Sequence, residues 1–364
     1  MLLYALLSAT WAIRPDIAAE KALVAMAIAA GGAAIIALIR QETRPNLLHM
    51  GEGVCIGLLI GLVYLLIELL SDQSIKLAIY RAVGVQPNDV TPSFFTWSDG
   101  KLVKISIDDL SRNMSSAALL IWPALMMTVA MWRKPRSTIY CLVLGVLTWL
   151  VVGLSWHESS KLALVVGLAA FVPAKLSLLW TRRLALFVWF AACLAILPAV
   201  LLAHRMDLHH ASSLQQSARH RLVIWNFTAE KLFESPLVGI GASSTYILGP
   251  KLAAANPPQG DVGIPETLST HSHNIYLQTW LELGLIGAVL LTLFGLSILR
   301  GISSLGPRLQ PYAYATFASA VAMGSSSYGI WQVWYMALFA FSAVTFSIGA
   351  QLMAGTSDAL APRQ

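Results

Sequence analysis

Charge is scarce in this chain. Asp, Glu, Lys and Arg make up 12% of its 364 residues, against about a quarter in ordinary soluble domains. That scarcity excludes a soluble enzyme with a solvated polar shell. Cysteine is nearly missing as well. Cys55, Cys141 and Cys193 all lie in apolar runs, where they form no extracellular disulfide framework and fit no zinc-ligand spacing; they read as small apolar fillers. No glycine-rich phosphate loop is present. Gly239-x-Gly241 is too short for a dinucleotide fingerprint and lacks its strand–helix setting. The outer polar segment offers no Asp/Glu pair at metal-binding spacing, so neither a divalent metal nor another cofactor is expected. Met1 opens directly onto an apolar run with no basic leader and no small-residue cleavage site, so no cleavable signal peptide is expected.

What remains is 57% hydrophobic with a mean hydropathy of +0.68, the composition of an all-α polytopic membrane protein. The formal net charge of +6 does not argue for nucleic acid. Its cations cluster in short loops such as Arg133-Lys134-Pro135-Arg136 and Arg182-Arg183, as topology signals do. About ten spans are expected: 1–13 (the weakest), 22–39, 54–71, 115–132, 138–156, 160–174, 184–203, 275–298, 309–325 and 329–352. They form one integral membrane domain over residues 1–364. A cytoplasmic N-terminus puts the cation-dense loops inside and two long polar segments, 72–114 and 204–274, outside. In the first, Ser98-Asp99-Gly100 reads as a turn between short extended pieces. In the second, Leu222, Trp225, Ala229, Leu232 and Phe233 recur at helical steps. Pro236 and Gly239 stop that helix, and Ala255–Gly263 reads as loop.

The most informative stretch runs from Thr270 to Gly287, where a polar, histidine-bearing mouth enters an apolar helix. An ionisable group at a membrane edge is a functional candidate. With Ser272 as N-cap, Trp280, Gly284 and Gly287 fall within about 40° of His273 on one helical face. The two glycines would then admit a neighbouring helix beneath the histidine. Gln278 and Glu282, four apart on the opposite side, can support each other. The positive helix N-terminus disfavours imidazolium and attracts an anion, which suits a neutral base beside a phosphate. The plainer reading is an interfacial histidine followed by packing glycines. Arg219 and Arg221 stand just before the amphipathic helix, with His204, Arg205, His209 and His210 upstream. They read either as bidentate phosphate ligands or as a basic face drawn to anionic lipid. Lys161, in His157-Glu158-Ser159-Ser160-Lys161, is either a phosphate-binding point charge or a snorkelling side chain.

Together these pieces resemble the O-antigen ligase and O-antigen polymerase superfamily. Its pattern of His-[Asn/Ser/Gln], nine residues, then Gly-x-x-Gly is met by His273-Asn274 and Gly284-Leu285-Ile286-Gly287. Starting from His271 would demand glycine where Glu282 stands. Arg221…Trp225 and Pro236-Leu237-Val238-Gly239-Ile240-Gly241 match its Arg-x-x-x-Trp and Pro-Leu-x-Gly-x-Gly. Ser160-Lys161 stands where the family has Ser-Arg, keeping the charge but losing the guanidinium fork. The Tyr328–Tyr335 stretch is also similar, more weakly. The resemblance covers about the second half of the chain. Family members commonly have about twelve spans, two more than the ten expected here.

The resemblance implies a GT-C-type glycosyltransferase of the bacterial inner membrane, its site facing the periplasm. The donor would be a glycan on undecaprenyl diphosphate and the acceptor lipid A–core oligosaccharide. Transfer would invert the anomeric centre without a metal. By the same resemblance, His273 and Arg221 are catalytic, and Arg219, Arg221 and Lys161 bind the diphosphate. Asn274, Gly284, Gly287 and Trp225 are supporting motif residues. O-antigen polymerase and protein O-oligosaccharyltransferase share the pattern. A transporter or lipid flippase is the alternative of another class.

Overall fold

The computed structural model describes residues 1–89, 94–255 and 269–358. In chain order its elements are α1 (Leu2–Leu7), α2 (Pro15–Ile39), α3 (Arg44–Leu70), α4 (Ser74–Val83), β1 (Phe95–Ser98) and β2 (Lys101–Ile105). They continue with α5 (Ser111–Met131), α6 (Arg136–Leu154), α7 (Glu158–Leu176), α8 (Leu178–Arg205), α9 (Gln216–Leu232) and α10 (Ser244–Ala255). The last are α11 (Ile275–Ser304), α12 (Gln310–Gly324) and α13 (Val333–Asp358).

Among the described residues, eight helices are long and apolar enough to cross a membrane, and two of the ten expected spans fall short of that. Residues 1–13 form only the six-residue α1 and a 3-10 turn, Ser8–Thr10. Their small residues, Ala5, Ala9 and Ala12, pack in a cluster with Ala242, Leu283 and Trp331 rather than facing lipid. Residues 310–324 are helical as expected, but 15 residues reach only about 22 Å, less than the ~30 Å hydrocarbon core. The broad exposed apolar faces of the long helices, among them Ile56, Ile60, Val63 and Ile67 on α3, belong in lipid, since a protein in water would bury such a patch.

The chain clusters into two compact units. One comprises Ala33–Val172, Pro311–Met323 and the chain from Phe341 onward. Here α5 is the enclosed helix, with Leu119, Met126 and Met127 fully buried. The Trp122 indole donates to Ser319 Oγ at 2.8 Å, and that hydroxyl donates to the Ala163 carbonyl at 2.7 Å. The expected turn at residues 98–100 is a β-hairpin. Asp99 and Gly100 take positive φ of 49° and 72°, the twist that two-residue hairpin loops require, and Phe95, Leu102 and Ile105 form its core. The described cysteines are free thiols.

The other unit comprises Met1–Gly32, Pro173–Gln310 and Gly324–Ala340. Its centre is α11 against α8 and α9, with Val200, Ala229 and Leu277 buried together. The Trp189 ring lies over Gly295, where no Cβ would fit, and its indole donates to the Thr292 carbonyl at 3.0 Å. The amphipathic helix read from Leu222 onward is α9, begun earlier and ended at Leu232. Phe233 falls just beyond it and is exposed rather than on the buried stripe. Residues Ser244–Ala255, with no helical reading in the sequence, form α10. From residue 256 the expected loop lies outside the described residues.

Candidate functional site

The start of α11 is built by Asn274, not Ser272. Asn274 Oδ1 accepts from the Tyr276 and Leu277 amides at 3.0 and 3.1 Å, the bonding of an N-cap. Its Nδ2 donates to the Ser325 carbonyl at 3.2 Å, so one side chain caps the helix and ties down the segment returning from α12. His273 therefore precedes the helix, with a positive φ of 54°, a conformation uncommon for a non-glycine residue. The Ser272 carbonyl accepts the Trp225 indole N–H at 2.8 Å, which binds α9 to the segment leading into α11.

His273 Nδ1 lies 2.6 Å from the Ser327 carbonyl. A carbonyl only accepts, so Nδ1 carries the hydrogen and Nε2 the lone pair. The His271 ring packs beside it, centroids 4.1 Å apart, and Gly329 leaves room for that ring because a Cβ there would meet it. Burial first, and then the Arg221 charge, holds the His273 imidazolium down to about 4, against the opposing pull of Ser327. Burial, then His273 and Arg221, holds His271 down to about 3. Both rings are neutral at physiological pH, and Arg221 is near enough to bias both. Arg219 is turned elsewhere, its Nε donating to the His209 carbonyl at 2.8 Å.

The helix of Gly284 and Gly287 is not continuous, which removes the shared face expected for His273, Trp280 and the glycines. Gly284 takes φ 63° and ψ −163° and breaks α11 there, a region essentially restricted to glycine. The gap admits a loop, not a neighbouring helix. The Leu281 and Glu282 carbonyls accept from the Ile240 and Gly241 amides at 3.0 and 2.9 Å, and the Leu285 and Ile286 amides donate to the Pro236 and Leu237 carbonyls at 2.9 and 3.3 Å. The opened helix thus regains the backbone partners it loses, as helix interruptions at membrane depth require. The two glycine motifs meet here. A Cβ on Gly239 would strike the Glu282 and Leu283 backbone, and one on Gly284 the Leu237 and Val238 backbone. Gly241 lets the α1 segment approach, since a Cβ there would meet Ala12.

Sequence reasoning paired Gln278 with Glu282, and Gln278 Nε2 donates to Glu282 Oε1 at 3.4 Å. It missed the rest of that carboxylate's surroundings, and it set His271 aside on spacing although that ring packs against His273. Glu282 is fully buried. It also accepts from the Ser243 and Thr245 amides at 3.1 and 3.2 Å, from the Thr245 hydroxyl and from the Trp331 indole. An acidic residue inside an apolar span was the available signal. Lys161 belongs to the other unit, where its Nζ pairs with Glu158 at 2.8 Å.

A family model described as O-antigen ligase matches residues 143–292. A protein of Rickettsia felis, provisionally named a polysaccharide ligase, is 28% identical over 230 residues, 62% of this chain and 55% of that protein. Two similarly named proteins, of Rickettsia conorii and Rickettsia bellii, are each 37% identical. Those matches cover 123 residues (34% of this chain) and 122 residues (33%), and 29% of each relative. The chain therefore spans between 29% and 55% of the length of these curated relatives. By fold it is an all-α multi-pass membrane protein. By sequence, residues 143–292 are similar to the O-antigen ligase family.

Proposed function

We propose that the protein is an O-antigen ligase: a metal-independent, inverting GT-C-type glycosyltransferase in a bacterial inner membrane. It moves a glycan from undecaprenyl diphosphate to lipid A–core oligosaccharide at the periplasmic face. The observation that carries the reading is the histidine at the head of α11, its Nδ1–H held by Ser327 and its Nε2 lone pair kept unprotonated beside a guanidinium. That is the equipment of a general base working next to an anionic leaving group. Orientation is supported by Arg300 in the last turns of α11 and Arg308 just beyond its opposite end, since cytoplasmic ends of spans are rich in cations.

In the proposed reaction the acceptor hydroxyl oxygen attacks the anomeric carbon as its proton passes to His273 Nε2. The bond from that carbon to the phosphate oxygen breaks, and undecaprenyl diphosphate leaves with the electron pair. Arg221 meets the charge that develops on it, with Arg219 of the same helix as a further cation for the diphosphate. Trp225 and Asn274 fix the segment that bears the base, and Gly284 and Gly287 belong to the interrupted helix below it.

The test is transfer by detergent-purified protein from a defined undecaprenyl-diphosphate glycan to lipid A–core, read on a gel beside His273→Ala. The expected result is product with wild type alone and a His273→Ala protein that elutes and melts like wild type. A ladder built from donor alone would assign a polymerase. Transfer surviving in the variant would remove His273 from the chemistry. No turnover of donor with any acceptor would return weight to a carrier.

A further inference from the structure

Glu282 is placed where a membrane helix can least afford a charge, and its two oxygens are surrounded by donors. Ser243 and Thr245 reach it from the start of α10, Trp331 from the segment before α13, and Gln278 from one turn back on its own helix. The Gln278 side chain continues the chain of bonds, its Oε1 accepting from the Ile330 amide at 3.1 Å. Residues 330 and 331 are thus held twice, directly by the carboxylate and through Gln278. The same segment, three residues earlier, supplies the Ser327 carbonyl that fixes His273, and Gly329 is the floor under His271.

We propose that Glu282 is a positioning residue: its carboxylate staples the 325–332 segment and the Ser243–Thr245 turn to α11, and through that segment it sets the orientation of His273. This rests on His273 acting as the base. Burying a carboxylate costs several kcal/mol unless its lone pairs are filled by donors, and here they are filled by groups from two walls of the site. A residue needed only to pack the helix would be an aliphatic one. Gly284 and the 236–241 loop make the arrangement possible, since opening the helix brings the Ser243–Thr245 turn against Glu282. The five donors of these four residues cannot all donate to an amide, whose NH₂ would face at least one other donor.

The experiment compares wild type, Glu282→Gln, Trp331→Phe and their double variant in the transfer assay, with kcat, KM for the donor and the pH profile of each. Glu282→Gln is expected to lower kcat by roughly tenfold or more while KM for the donor stays near wild type, because Arg221 is carried on α9 and not on the staple. The double variant should be no worse than Glu282→Gln alone, the non-additivity of residues acting as one unit. The acid limb of kcat/KM should move up, since a loosened wall admits water to His273, whose protonation burial chiefly opposes. The other groups facing that ring are His271 beside it and Arg221 from α9. A mere loss of folded protein would scale the profile without moving its limb. If Glu282→Gln does not fold, Gln278→Met decides, since it cuts the branch to Ile330 and leaves the other donors in place. Wild-type kcat and an unmoved limb in the folded variant would overturn the proposal. Inactivity of wild type itself would instead overturn the ligase reading on which it stands.

Discussion

The sharpest quantitative consequence of the structure concerns Gly284, and it separates a backbone requirement from simple helix packing. Replacing it by alanine puts a side chain on a residue at φ 63°, ψ −163°, which costs about 1–3 kcal/mol in strain alone. The new Cβ also strikes the Leu237 carbonyl, so the 236–241 loop must withdraw. Four backbone bonds hold that loop to the broken helix, each with a net contribution of about 1 kcal/mol. Losing two of them brings the total to about 3–5 kcal/mol. The control is Gly301→Ala in the same helix, where nothing lies within 4 Å of the added Cβ and helix propensity alone predicts a gain of roughly 0.5–1 kcal/mol. Thermal unfolding of the detergent-purified variants, followed by tryptophan emission, should show Gly284→Ala melting several degrees low and Gly301→Ala at or above wild type. Adding Gly239→Ala should lower Gly284→Ala by less than the two separate losses, because both strike one clamp. Equal melting of the Gly284 and Gly301 variants would refute the interrupted helix and the loop seated in it.

Two further outcomes follow from the charges. His273 and His271 are held to about 4 and about 3, below the ordinary histidine value of 6.5. Below that value the unfolded chain takes up protons that the folded chain refuses until pH nears 4, so stability should fall as pH drops through this window. Melting temperature measured from pH 7.5 to 5 should decline, and the His271→Gln, His273→Gln double variant should decline less steeply; parallel curves would contradict the burial of the two rings. Arg221→Ala should abolish transfer and Arg221→Lys should restore only part of it, since lysine keeps the charge but not the two-pronged geometry. Full activity with lysine, measured as kcat/KM for the donor, would argue against bidentate phosphate binding.

Much of the architecture was legible because its causes are local. Apolar runs near the length of a membrane crossing, the turn chemistry of Asp99-Gly100 and the three- and four-residue steps of α9 all act over a few residues. So does the i, i+4 pairing of Gln278 with Glu282. The spacing from His273-Asn274 to Gly284 and Gly287 likewise picked out the two ends of one device. The purpose of that spacing was misread. A helical wheel assumes uninterrupted 3.6-residue periodicity, and a single glycine at positive φ cancels the phase of everything after it. Serine and asparagine are both good caps, so the sequence favours Ser272 as readily as Asn274; only the bonds made by Asn274 choose between them.

The run of hydrophobicity and the position of the histidine motif were thus determined by the sequence alone, because lipid and helix termini read local chemistry. Tertiary structure alone decided that His271 lies against His273, that a carbonyl 54 residues on sets the tautomer, and that Trp331 and Thr245 converge on Glu282. It also turned the first apolar run into a wedge of alanines beside Gly241 rather than a span. Apart from the neighbouring His271 and His273, each of these joins residues tens to hundreds of positions apart. Their meeting depends on where the broken α11 sends the chain, a quantity that no window of neighbouring residues contains.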